Sequence, residues 1–193
     1  PRTSTMQHMV AKNNIGLITL RINGEGNEFV CLLTNQIIEK GSLPKGNYSL
    51  FPLYLYSEKT DQHSLLDEVV RTPNLNMEIV NQIAEQLGLY FNPEEFDGTT
   101  TVETNQFTPL NILDYIYAVL HSPNYREKYK EFLKIDFPRV PYPKNQKTFF
   151  DLVALGSQLR QIHLLESEVT EKYITQYPED GDNIVVKPTK KKK

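Results

Sequence analysis

Thr108-Pro109-Leu110-Asn111-Ile112-Leu113-Asp114-Tyr115-Ile116-Tyr117-Ala118-Val119-Leu120-His121-Ser122-Pro123 is the stretch whose reading decides the fold class. A threonine followed by proline supplies an N-cap and a first helical residue with φ already fixed. Ile112, Leu113, Ile116, Val119 and Leu120 then recur at helical spacing, which predicts a helix with those five facing inward. Ser122-Pro123 repeats the start signal and predicts a second helix with Tyr125, Tyr129, Phe132 and Leu133 inward. Pro138, Pro141 and Pro143 end that helical pattern, because proline lacks a donor and restricts the residue before it. A last helix is expected from near Gln146, with Phe149, Phe150, Leu152, Val153, Leu155, Leu159 and Ile162 inward. Upstream, Asn76 caps a helix carrying Ile79, Val80, Ile83, Ala84 and Leu87 on one face, and Gly88 ends it. Residues 92–101 read as a loop.

Further upstream the pattern becomes that of β structure. Ile15-Gly16-Leu17-Ile18-Thr19-Leu20-Arg21-Ile22 and the run over 28–33 are joined by Asn23-Gly24-Glu25-Gly26-Asn27, which predicts a hairpin. After a loop at 41–47, residues 48–56 read as a third strand, with Pro52 placing it at an edge or bulge. Residues 57–71, charged and weakly patterned, read as an exposed excursion. The fold class is therefore α+β, a small antiparallel sheet in the N-terminal third followed by a helical C-terminal lobe. The expected division is a β-rich lobe over 10–75, a helical lobe over 76–177 and a solvated tail over 178–193 that ends in four lysines.

With 193 residues, 39% hydrophobic and 23% charged, the chain has the balance of one folded domain with a packed core. The longest strongly apolar run, over 50–56, is far shorter than the roughly 20 residues of a spanning helix, so no membrane partner is expected. One cysteine, Cys31, cannot form an internal disulfide, which fits a reducing, cytoplasmic setting, and its place in Phe29-Val30-Cys31-Leu32-Leu33 reads as core. Pro1 stands where a start methionine would, and no basic-then-apolar leader comes after it, so the chain is expected to be a piece of a longer cytoplasmic protein. The net charge of −3 gives no general attraction to a phosphate backbone, so nucleic-acid binding requires a local basic patch.

The chemistry of catalysis finds no assembled motif. No phosphate-cradling glycine loop, dinucleotide fingerprint or nucleophile elbow occurs, and no lysine has an acid two residues before it as in acidic-x-Lys nucleases. His8, His63, His121 and His163 share no three- or four-residue helical spacing, so no metal site is expected. His121 and His163 read as helix-end or core-rim histidines satisfied by a backbone carbonyl. Residues 137–150 are the uneven part: Arg139, Lys144 and Lys147 stand beside Tyr142, Asn145, Gln146 and Thr148 with no acid. Such a segment is either a solvated interhelical connection or a phosphate-contacting loop, cations supplying charge and amides directional donors. Residues 166–182 carry the opposite sign.

At these residues the chain resembles a known family. Residues 108–123, then Tyr125-Arg126-Glu127-Lys128-Tyr129, then Phe132-Leu133-Lys134-Ile135-Asp136-Phe137-Pro138-Arg139-Val140-Pro141 look like the specificity region of type ISP and related single-chain restriction-modification enzymes. Pro1-Arg2, Met6-Gln7-His8-Met9, Asn14-Ile15-Gly16-Leu17-Ile18 and Phe51-Pro52-Leu53-Tyr54-Leu55-Tyr56 resemble the same region in the same order, so the likeness spans about residues 1–185. The resemblance implies sequence-specific double-stranded DNA recognition for an attached adenine-N6 methyltransferase and restriction enzyme. The methyltransferase domain of the same polypeptide is the implied partner. S-adenosylmethionine, Mg and ATP are implied for the parent, with no cofactor and no catalysis in this chain. Where the family often has Ser-Arg-Gln after the first strand, this chain has Leu20-Arg21-Ile22, so Arg21 alone carries over. The expected DNA-binding residues are Arg21, Asn23 and Lys45 in the β-rich lobe and Arg139, Lys144, Asn145, Gln146 and Lys147 between the helices. The competing reading is a non-catalytic interaction module that docks other domains of the same polypeptide, consistent with the acidic segment at 166–182.

Overall fold

A computed structural model of the chain describes residues 6–10, 13–21, 29–38, 48–56, 71–93, 105–172, 174–175, 181–182 and 184. Asn23, Lys45, residues 57–70 of the expected excursion and the four C-terminal lysines lie outside them.

Strand β1 (Gly16–Leu20) is the centre of a three-stranded antiparallel sheet, flanked by β2 (Cys31–Thr34) and β3 (Tyr48–Pro52). The register pairs Leu17 with both Leu33 and Phe51, so the expected hairpin pairing and the third strand are present. Ile18 and Leu20 are buried on one face and Thr19 on the other, which is why β1 reads as an unbroken apolar run rather than an alternation. At Gly16 any Cβ would overlap the Leu50 side chain, with the Met9 methyl close by.

The single strand expected over 48–56 is broken at Leu53. Pro52 has no N–H to continue the ladder, and the chain steps into β4 (Tyr54–Tyr56), which pairs antiparallel with β5 (Arg71–Pro73). Arg71, read as part of an excursion, is thus a strand residue. Buried Asn14 makes the step possible by imitating a neighbouring strand. Its Nδ2 donates to the Tyr54 carbonyl (2.8 Å) and its Oδ1 accepts from the Tyr54 N–H (3.1 Å).

Helix α1 (Met77–Leu87) begins as its sequence says, with Asn76 Oδ1 accepting from the Glu78 and Ile79 N–H groups. It ends at Gly88 in the left-handed region (φ 63°). Two short strands, β6 (Tyr90–Phe91) and β7 (Gln106–Phe107), pair in parallel and lie on either side of the stretch over 92–101 that reads as a loop. Thr108 opens α2 (Pro109–His121) through a capping box: Asn111 N–H donates to its hydroxyl and its own N–H donates to Asn111 Oδ1. Ser122 caps α3 (Pro123–Lys128), a 3-10 turn comes next at Phe132–Lys134, and Asn145 caps α4 (Gln146–His163).

Two expected faces are corrected. On α2, Ile116 is only half-buried, whereas Asp114, Tyr115, Tyr117 and Ala118 are buried together with Ile112, Leu113, Val119 and Leu120. The helix is enclosed on several sides, so a single stripe does not describe it. On α4 the buried line is Phe149, Val153, Gly156 and Arg160, while Leu155 and Ile162 are exposed. The helix is rotated because α2 and α4 cross at Gly156, where any Cβ would run into the Asp114 backbone carbonyl. Beside that crossing Arg160 Nε donates to Asp114 Oδ1 (2.7 Å) and Nη2 donates to Oδ2 (3.2 Å) and to Ser157 Oγ (3.1 Å). Burial pushes the Asp114 carboxyl above its usual range and Arg160 pulls it back only in part.

His121 Nδ1 meets the Tyr117 carbonyl (2.9 Å), as expected for a helix-end histidine. The partner of His163 is instead the Tyr117 hydroxyl, 2.5 Å from Nδ1, so a side chain from α2 holds the end of α4. Cys31 is buried as read, and burial pushes its thiol up to about 12.

Candidate nucleic-acid interface

The six described residues of the expected set occupy two places. Arg21 lies just after β1 with its side chain largely exposed, and its Nε is 3.4 Å from Asp136 Oδ1. That oxygen also accepts the Phe137 N–H (2.9 Å), which fixes the carboxylate over its own backbone. Phe137 in turn meets Phe51 of β3 edge to face, ring centroids 5.5 Å apart. The exposed pair contributes little to stability, on the order of 0–1 kcal/mol, but it sets the end of the sheet against the segment that leads to Arg139.

Arg139, Lys144, Asn145, Gln146 and Lys147 lie on or just beyond an extended strap, residues 138–144, between the 3-10 turn and α4. Phe137, Val140 and Tyr142 each precede a proline, which drives them from helical toward extended conformation. The prolines supply no N–H of their own, so no sheet ladder forms and the carbonyls need other donors. Three elements provide them. Tyr125 Oη of α3 donates to the Arg139 carbonyl (2.8 Å), Tyr115 Oη of α2 to the Pro141 carbonyl (2.8 Å), and Gln86 Nε2 of α1 to the Pro143 carbonyl (3.0 Å). Alternate carbonyls point inward, as the two-residue period of an extended chain requires. Burial raises the Tyr115 and Tyr125 hydroxyl pKa values, keeping both as donors.

On the strap Arg139, Pro141, Tyr142 and Lys144 are exposed, whereas Val140 is half-buried and Pro143 is buried. The Arg139 guanidinium lies 5.1 Å from the Phe132 ring centroid, and Lys144 is exposed. Among the described residues neither pairs with a carboxylate, whereas Lys130, Lys134 and Lys147 lie within 4.0, 2.7 and 2.7 Å of Glu127, Glu131 and Asp151. Asn145 and Gln146 are both engaged. Asn145 Oδ1 accepts the Thr148 N–H (2.8 Å) as the cap of α4, and Gln146 Nε2 donates to the Leu87 carbonyl (2.7 Å) at the end of α1. Reading an adenine edge takes both ends of the amide, so either residue would have to release its intramolecular bond first. The anchoring residues Tyr115, Tyr125 and Gln86 were not singled out from sequence, where the tyrosines read as core. The usable signal was the Pro138, Pro141, Pro143 spacing, which leaves carbonyls in need of outside donors.

Between the strap, α1 and α2 lies an open apolar groove of about 220 Å³ lined by Ile79, Ile83, Ile116, Val140 and Tyr142 among others. Among the described residues no three His, Cys, Asp or Glu side chains cluster to hold a metal. No helix among them is long and apolar enough to cross a membrane.

Sheet, helices and strap define a small mixed α+β module that presents cations on an anchored extended segment. More particularly, the chain belongs to the Type ISP C-terminal specificity domain family, whose model matches residues 1–193. The resemblance read from residues 108–141 and the upstream stretches is thereby established. No curated protein matches the chain. Among solved structures it is similar to one described as "cryoEM structure DrdV-DNA complex", with a TM-score of 0.59 and 23% identity. The likeness covers 84% of this chain and 13% of that one, and at such identity it shows a shared fold.

Proposed function

We propose that this chain recognises a short double-stranded DNA sequence for an adenine-N6 methyltransferase and restriction enzyme carried on the same polypeptide. The observation that carries the reading is membership of a specificity-domain family over the full 193 residues. Likeness in fold to a chain solved in a DNA complex supports it. In this reading Arg139 and Lys144 contact phosphates directly, Arg21 and Lys147 do so by exchanging the exposed Asp136 and Asp151 for phosphate, Asn23 and Lys45 reach the duplex from the β-rich lobe, and Asn145 or Gln146 reads a base edge after releasing its internal bond. Methyl donor, Mg and ATP belong to other parts of the parent, as does the catalysis. The parent works in the cytoplasm, where its DNA lies.

The test is binding of the full-length parent to duplex DNA across a salt series. Phosphate-driven binding weakens steeply with salt, whereas an apolar docking contact between domains changes little. Sequencing of N6-methyladenine in DNA exposed to the parent then gives the site. Salt-insensitive association, or methylation without a common flanking sequence, contradicts the proposal.

A further inference from the structure

We propose that the strap over residues 138–144 is a preformed rail for a nucleic-acid backbone, with Arg139 and Lys144 as its phosphate contacts and Tyr125, Tyr115 and Gln86 as the residues that position it. This rests on the DNA reading above and goes beyond it by assigning the surface and what holds it in place.

Three observations meet at the strap. The first is rigidity: a loop that must be ordered on binding subtracts that cost from affinity, whereas this one is tied at every second carbonyl to three different helices. Its prolines remove further backbone freedom. The second is charge availability. Lys130, Lys134 and Lys147 face Glu127, Glu131 and Asp151, whereas the two cations on the strap face no carboxylate among the described residues. Phosphate is the ligand for such cations, and the Phe132 ring beneath Arg139 holds its guanidinium without neutralising it. The third is reach. Five residue steps of chain lead from Arg139 to Lys144, a span of at most about 18 Å. At about 3.4 Å per base pair, both can engage one short stretch of duplex.

The anchors are hydroxyls and an amide that touch only the strap backbone at these bonds, so they act through Arg139 and Lys144 and not on DNA. Losing the Tyr125 hydroxyl frees the carbonyl of Arg139 itself, which makes that pair the sharpest test of positioning.

The experiment measures binding of the full-length parent to a random-sequence 20-base-pair duplex between 0.05 and 0.3 M salt, for wild type, R139Q, K144Q, the double variant, Y125F and Y125F/R139Q. Two lost phosphate contacts lower the slope of log affinity against log salt by about 2, and shrink the gain in affinity across this sixfold salt range about 25-fold. Y125F, which deletes one hydroxyl, is expected to lower the slope partway toward that of R139Q, with R139Q causing a smaller further loss in the Y125F background than in wild type. Circular dichroism and thermal unfolding of each variant separate this from misfolding, since unfolded protein reduces active concentration without changing the slope. A wild-type slope retained by the double variant overturns the rail and leaves the DNA reading intact. Full additivity of Y125F and R139Q overturns the positioning role. Salt-insensitive binding of the wild type contradicts the DNA reading itself.

Discussion

Replacing Asp114 with asparagine preserves the shape of the α2–α4 crossing and removes only its charge. Arg160, whose side chain is 10% exposed, would then keep Ser157 and a neutral amide in place of a carboxylate that is itself 3% exposed. Breaking a buried pair by removing one partner costs about 3–5 kcal/mol, because the remaining charge is left without compensation. For a chain of this length each kcal/mol corresponds to about 2–4 °C, so the midpoint should fall by about 6–20 °C. Substituting both residues, as D114L/R160M, removes the stranded charge along with its partner. The double variant is expected to recover most of the loss, since well-packed apolar replacements of buried pairs are often neutral or better. Urea unfolding followed by circular dichroism gives both values, with an unchanged m-value certifying that the same surface is exposed. A D114N cost under about 1 kcal/mol, or a double variant as unstable as the two single losses added together, refutes the claim that burial governs this pair.

Leu120→Ala, at a fully buried position, should cost about 3–5 kcal/mol, while Ile116→Ala, half-buried beside the groove, should cost about 1–2; equal costs would contradict the assigned phase of α2. Cys31 should resist thiol reagents in the folded protein at pH 8 and react after urea unfolding, since burial pushes its thiol up to about 12; rapid labelling of the native protein would oppose this. Burial lowers the pKa of His121 below its ordinary 6.5, despite the Tyr117 carbonyl. The unfolded chain therefore binds more protons below that pH, and stability should fall as pH drops through 6.5, with a smaller drop in H121Q. A steeper pH dependence in H121Q would contradict the direction.

What the sequence made legible was whatever local chemistry decides. Asn76, Gly88, Thr108-Pro109 and Ser122-Pro123 mark real helix ends, because caps act within one turn of themselves. The face of α4 was misread because hydropathy places Gly156 and Arg160 outside a core. A close crossing with α2 puts one there for lack of a Cβ and the other for the sake of Asp114, 46 residues away in the chain. The break at Leu53 depended on Asn14 reaching 40 residues along the chain, and the pairing of β4 with β5 on a partner that carries no alternating pattern. For the interface, composition found the cations of 137–150, but not which of them a carboxylate already holds. That distinction needed the Lys147–Asp151 pair, the engaged amides of Asn145 and Gln146, and the tyrosines that hold the strap.

Selection from random duplexes asks whether this chain reads a DNA sequence for the polypeptide that carries it, as proposed. The full-length parent is incubated with duplexes randomised over 20 base pairs, and the bound fraction is sequenced after several rounds. Enrichment of one short motif is expected, with the same motif at lower affinity for the R139Q/K144Q variant, because phosphate contacts fix register without carrying sequence information. Bound duplexes with no common sequence would contradict it.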